Sequence, residues 1–260
     1  MGANEGEREG ARVPLRARWG GLTRVQKALA TVGTAAGLAV VGWAVNWGMP
    51  KLVDWVNPPY EAPGASRLLI VDTSASMTGP QGRAKFERAV AEIGRHIANT
   101  PDVALALRTA GGGCTVGYEE PVVGFESGNA DSIQAELDAV RPNGEANIVA
   151  QLEQGTNDFH RFRDAKSADV QSIWLFLATG RDCSAEDEPL GEAIRAALVD
   201  SPAKVSYVDF FVLRGDRKSY AGLKKSMEAL GTSFRVKRVA TGAQLRRAMR
   251  ETEHSEAPSE

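Results

Sequence analysis

The sequence predicts a doubly wound α/β fold: a mostly parallel six-stranded sheet with helices on both faces, preceded by one transmembrane helix. Three observations carry this. Short, continuous apolar runs such as 67–72 and 172–179 alternate with longer segments of helical periodicity. Polar and Gly-rich turns follow the apolar runs, as at strand ends of a parallel sheet. Residues 28–49 carry no charge at all.

The N-terminal elements come first. Residues 1–27 form a basic tail whose six cationic residues are Arg8, Arg12, Arg16, Arg18, Arg24 and Lys27. The 22 residues from Ala28 to Met49 reach about 30 Å as a helix, the thickness of a bilayer core. Trp19 stands near one end of this run, and Trp43, Trp47 and Trp55 near the other, as headgroup-zone side chains do. Only Lys51 closely follows the run, so the positive-inside rule leaves the N-terminus cytoplasmic and everything after Pro50 outside. A buried amphipathic helix and a cleaved signal peptide are the alternatives. Gly33 and Gly37 have the spacing that lets two such helices approach, a weak pointer to a homodimer. Residues 50–65 hold four prolines and read as a stiff stalk.

The domain is expected over 66–253, with 254–260 as a disordered tail. Strands are predicted at 67–72, 102–109, 121–125, 172–179, 204–213 and 233–239. Helices are predicted at 82–98, 129–140, 147–164, 186–200, 217–230 and 241–253; in the first of them Phe86, Val90, Ile93 and Ile97 share one face. Ligands of such sheets bind beyond the C-terminal ends of the strands, which singles out the loops after Asp72, Thr109 and Thr179.

Composition excludes several function classes. A net charge of −2 gives no reason to expect nucleic acid. The three histidines (His96, His160, His254) are scattered and no Cys-x-x-Cys occurs, so a zinc site is not indicated. No Gly-x-Ser-x-Gly or phosphate-loop pattern is present, and Gly111-Gly112-Gly113 is not followed by a helix start. Arg214-Gly215-Asp216 consists of ordinary turn residues after a strand. The expectation is a non-enzymatic protein.

The run LLIVDTSASM puts Asp72, Ser74 and Ser76 at the end of the first strand. This Asp-x-Ser-x-Ser pattern, with the strand and helix order around it, resembles the metal-ion-dependent adhesion site of von Willebrand factor A-type (VWA) domains. The resemblance covers about residues 66–250 and implies a Rossmann-like fold that binds a protein partner. It also implies Mg²⁺ on Asp72, Ser74 and Ser76, completed by an acidic side chain of the partner. Two family positions depart from the pattern. The loop PNGEANI places Ala146 where the family has Thr, and LATGRD places Thr179 where it has Asp. Metal binding is therefore open. Glu145, Thr179 or Asp182 would have to compensate, or the Asp-x-Ser-x-Ser turn serves as a local cap for the loop and the following helix. Glu145, Asn147 and Arg181 are the expected partner-contacting residues in the surrounding loops.

Some bacterial VWA proteins carry one cysteine after each of two strands, as Cys114 and Cys183 do here. With the first strand between those two, both loops would flank Asp72, and outside the cytoplasm the pair would oxidise. Two unrelated free cysteines are the alternative. A structural role in a membrane assembly and a hydrolase using the same face stand as the rival readings.

Overall fold

A computed structural model describes residues 62–114, 119–178, 182–183, 189–199, 201 and 205–256. The basic tail, the apolar run 28–49 with Gly33 and Gly37, and most of the stalk lie outside the described residues. Among the described residues no helix is long and apolar enough to cross a membrane.

The strands are β1 (Ala65–Asp72), β2 (Val103–Ala110), β3 (Val123–Ser127), β4 (Val170–Ala178), β5 (Tyr207–Arg214) and β6 (Phe234–Arg238). The helices are α1 (Pro80–Ile97), α2 (Ala130–Ala139), α3 (Ile148–Arg161), α4 (Arg163–Ser167), α5 (Leu190–Val199), α6 (Arg217–Glu228) and α7 (Gly242–Glu256), with a short 3-10 turn at Ala75–Met77. The sheet order is β3-β2-β1-β4-β5-β6. Only β3 runs antiparallel, against β2. The six-stranded, mostly parallel sheet is as the sequence predicts.

The central strands are apolar on both sides because both sides are covered. Leu68 and Ile70 of β1 face a core built with α3, α5 and α6, which contains Leu152, Phe159, Ile194 and Met227. Leu69 and Val71 face the opposite core with α1, α2 and α7, which contains Phe86, Ile93, Ile133 and Met249. Alternate side chains of one strand thus feed two layers.

Two elements depart from the expected boundaries for identifiable reasons. The helix expected over 147–164 breaks at Phe162, whose backbone is extended (φ −91°, ψ 132°). Leaving the helix brings the Phe162 ring within 5.9 Å of the Phe125 ring centroid. It also lies over Gly124, where a Cβ would come within 2.6 Å of a ring carbon and the ring would have to shift. The second departure is the C-terminus. Residues 254–256, expected to be disordered, continue α7 because Glu253 and Glu256 grip buried Arg67 at 3.0 and 2.9 Å. Arg67 in turn lies 3.8 Å over the Trp174 ring, and Trp174 Nε1 donates to Glu256.

β1 lies between β2 and β4, the point where the chain order reverses. The polar turn after Asp72 therefore opens at the switch point of the sheet, the position where doubly wound folds build ligand sites.

Candidate functional site

Four loops meet at the C-terminal edge of the sheet, and backbone hydrogen bonds knit three of them to one another. Thr73 N donates to Ala110 O at 2.9 Å, Asn143 N to Thr73 O at 2.8 Å, and Ala75 N to Gly144 O at 2.9 Å. Gly112 N donates to Asn143 O at 3.2 Å. Gly144 sits at φ +60°, and a Cβ there would be 2.1 Å from Gly112 O. That close approach accounts for the glycine at 144, while Gly112 is favoured by its own φ of +100°. The fourth loop joins through Cys183 N, which donates to Ala146 O at 2.8 Å.

Cys114 and Cys183 form a disulfide across this surface, with Cα atoms 5.2 Å apart. That separation lies within the range that disulfides span. The expected pairing is present. Glu145 is exposed, with a carboxylate oxygen 2.8 Å from Cys114 Sγ. The two sulfurs are bonded to each other, so this Cys-Cys-Glu cluster does not present thiolate ligands.

Asp72 is 1% exposed and lies at the centre of the switch point. Its Oδ1 accepts from Ser74 N at 2.9 Å and its Oδ2 from Ala178 N at 2.8 Å. One carboxylate thus ties the loop after β1 to the end of β4. Burial pushes its pKa above the usual carboxylate range, against the downward pull of the Ser74 and Ala178 hydrogen bonds; nearby Asp182 adds a small upward push. Ser74 is buried and Ser76 exposed, and their Oγ atoms are 2.8 Å apart.

These side chains do not cap the following helix. The N-cap of α1 is Gly79, with Pro80 at the first helical position and no side-chain capping bond. Arg214 instead secures the loop, its Nη1 donating to Ser76 O. The other end of the Arg-Gly-Asp tripeptide is structural too, since Asp216 caps α6 by accepting from Ser219 N at 2.8 Å.

The remaining predicted site residues divide. Asp182 is buried and its Oδ2 accepts from Val149 N at 3.1 Å, in the first turn of α3. A carboxylate there satisfies an otherwise unpaired amide and suits the positive end of the helix dipole. Ala146, 8% exposed, contributes backbone contacts and no side-chain donor. Asn147, expected as a partner contact, is only 3% exposed. Its Nδ2 donates to Gly113 O at 3.0 Å, which fixes the Cys114 loop, and its buried Oδ1 has no partner. Thr179 and Arg181 lie outside the described residues.

One feature near this edge is not among the sequence expectations. Arg108, towards the end of β2, is 1% exposed and forks onto Asp158 of α3 at 2.6 and 3.1 Å. Its Nη2 also reaches Glu119 O at 2.9 Å, holding the chain just beyond the Cys114 loop. The signal for it is a lone arginine inside the apolar run VALALRT.

Sheet order, the two helical layers and the Asp-x-Ser-x-Ser turn at the switch point define a VWA-like fold. Among solved structures, the chain is similar to a point mutant of the PilB minor pilin from Streptococcus sanguinis, with 12% identity and TM-score 0.58 over 77% of this chain and 63% of that one. The unmutated pilin gives 11% identity and TM-score 0.56 over 76% and 62%. A von Willebrand factor type A protein from Catenulispora acidiphila gives 14% and 0.52 over 74% and 42%. The chain spans less than two thirds of the length of each. No family model and no curated protein sequence matches it.

Proposed function

We propose that this chain is a membrane-anchored interaction module. Residues 28–49 hold it in the membrane with the N-terminus cytoplasmic, and the VWA-like domain binds a protein partner outside through the loops at the C-terminal edge of the sheet. The observation that carries the binding reading is the interlocking of those loops. Four segments far apart in sequence are fixed by backbone hydrogen bonds and a disulfide, which presents a preorganised surface with Ser76 and Glu145 exposed upon it. The disulfide favours an oxidising compartment, in agreement with the orientation that the basic residues suggest.

The module acts without a metal ion of its own. Mg²⁺ demands near-octahedral oxygen coordination and gains its affinity largely from carboxylates. The described donors are the hydroxyls of Ser74 and Ser76 and one carboxylate, Asp72. Each Asp72 oxygen already accepts a backbone amide, which leaves this one carboxylate half of its acceptor capacity for an ion. Ala146 offers no side-chain ligand, and Oδ2 of Asp182 is committed to the N-terminus of α3. This set does not fit a protein-held Mg²⁺, so the contact with the partner is direct.

Crosslinked pull-downs from membranes test the reading. Glu145→Ala and Ser76→Ala should lose the partner, while exchanging residues 28–49 for an unrelated span should retain it. The reverse outcome would make the chain a structural subunit held by its membrane helix. Catalytic turnover abolished by Asp72→Ala would replace the binding reading with an enzymatic one.

A further inference from the structure

The opposite edge of the domain carries a second surface that the loops above do not use. α1 and α7 both run from the C-terminal to the N-terminal edge of the sheet, and a groove of about 270 Å³ lies between them. Three arginines line it: Arg95 from α1, and Arg246 and Arg250 from α7. His96 lines it as well.

The carboxylates at this groove are already engaged. Glu92, with its side chain only 7% exposed, receives hydrogen bonds from both Arg95 and Arg246. It orders two guanidinium groups from different helices while leaving most of their donors unused. Glu253 is held by Arg67 at 3.0 Å and lies 3.1 Å from His96. Arg250 is exposed, and its guanidinium has no partner among the described residues. Around one cavity the structure therefore sets two preordered arginine forks and a third, unengaged one.

We propose that this groove binds a phosphate group, either free or as part of a headgroup-sized phosphate ester. Guanidinium forks approaching from two helices match the tetrahedral oxygens of phosphate, to which they donate charge-assisted hydrogen bonds. A planar carboxylate presents two oxygens to a single fork and uses this arrangement less fully. The groove is too small for a folded partner and of a size for a compact ester. It lies at the edge where the chain enters β1 at Ala65, so a lipid headgroup and a soluble phosphate are both sources of the same chemistry.

Calorimetry on the full chain in a neutral detergent separates them, with inorganic phosphate and short-chain phosphatidylglycerol as probes. Saturable heat is expected, weakened about tenfold in Arg250→Ala and unchanged in Arg217→Ala, an exposed arginine of α6 outside the groove. Arg250→Ala should unfold at the wild-type temperature, because it removes no described contact. Heat from phosphatidylglycerol alone assigns a lipid headgroup; heat from both probes assigns phosphate itself. No heat from either probe, wild-type binding by Arg250→Ala, or equal loss in Arg217→Ala overturns the proposal.

Discussion

Arg108 of β2 and Asp158 of α3 form a two-pronged ion pair, at 2.6 and 3.1 Å, between side chains that are 1% and 0% exposed. The pair spans the core between the sheet and the helix whose first turn Asp182 caps. Burial pushes the pKa of Asp158 up, against the hydrogen bonds and charge of Arg108. Removing one partner would leave the other charge buried and uncompensated. Arg108→Ala is therefore expected to destabilise the domain by about 3–5 kcal/mol. The double change Arg108→Met with Asp158→Leu, which removes both charges and keeps volume, should cost clearly less. Urea unfolding of the three proteins checks this; a double variant as unstable as the single one would mean that the hydrogen bonds to Gln151 and Glu119 outweigh the pair.

The Cys114–Cys183 disulfide closes a loop with a sequence separation of 69. The chain-entropy argument gives roughly 4 kcal/mol for a loop of that length. Replacing both cysteines by serine should lower the unfolding midpoint by an amount of that order, and reductant should lower the wild type but leave the double variant unmoved. Equal midpoints for oxidised and reduced wild type would show that the loop hydrogen bonds alone fix this edge.

The sheet is legible because burial on two faces writes itself into the sequence as uninterrupted apolar runs: β1 and β4 are apolar for that reason, and their ends follow from the polar turns. What sequence periodicity does not carry is the pairing of buried charges. Arg67, Arg108 and Asp209 each interrupt an apolar strand, but their partners Glu256, Asp158 and Arg235 lie 189, 50 and 26 residues further on. The extra turn of α7 escapes the sequence pattern for the same cause, since ETEHSE reads as a solvated tail until Glu256 meets Arg67 and Trp174. At the candidate site, the motif locates Asp72 correctly at the switch point. It does not reveal that Asp72 is bound to the Ala178 amide, because that contact depends on the register of β1 beside β4.

Asp209 supplies a pH dependence. Burial raises its pKa from 3.8 to about 6, ahead of the opposing hydrogen bonds and charge of Arg235. A raised native pKa means that the folded state binds the proton more tightly than the unfolded one. Its contribution to stability is complete below about pH 3.8 and is lost as pH rises through about 6. Asp209→Asn abolishes this contribution. The stability of the wild type relative to Asp209→Asn should fall between those two values and level off above them. Denaturant unfolding across that range measures the difference; a flat difference curve would show that Arg235, at 2.7 and 2.5 Å, holds the carboxylate ionised throughout.

The absence of two ligand-bearing side chains makes the metal question one of gain as well as loss. Titrating the full chain with Mg²⁺ or Mn²⁺ should give no heat, and Asp72→Ala should behave identically in that titration. Because Asp72 accepts from Ser74 N and Ala178 N, the same substitution leaves two buried amides unpaired and should destabilise the fold by about 1–3 kcal/mol for each of them. Ala146→Thr combined with Thr179→Asp adds the hydroxyl and the carboxylate that the VWA pattern contains. If charge and donor count are what this edge lacks, that double variant should release or absorb heat with Mg²⁺ where the wild type does not. Heat in the wild type, lost on Asp72→Ala, would instead show that Asp72, Ser74 and Ser76 suffice, and the partner contact would then have to be reconsidered as metal-mediated.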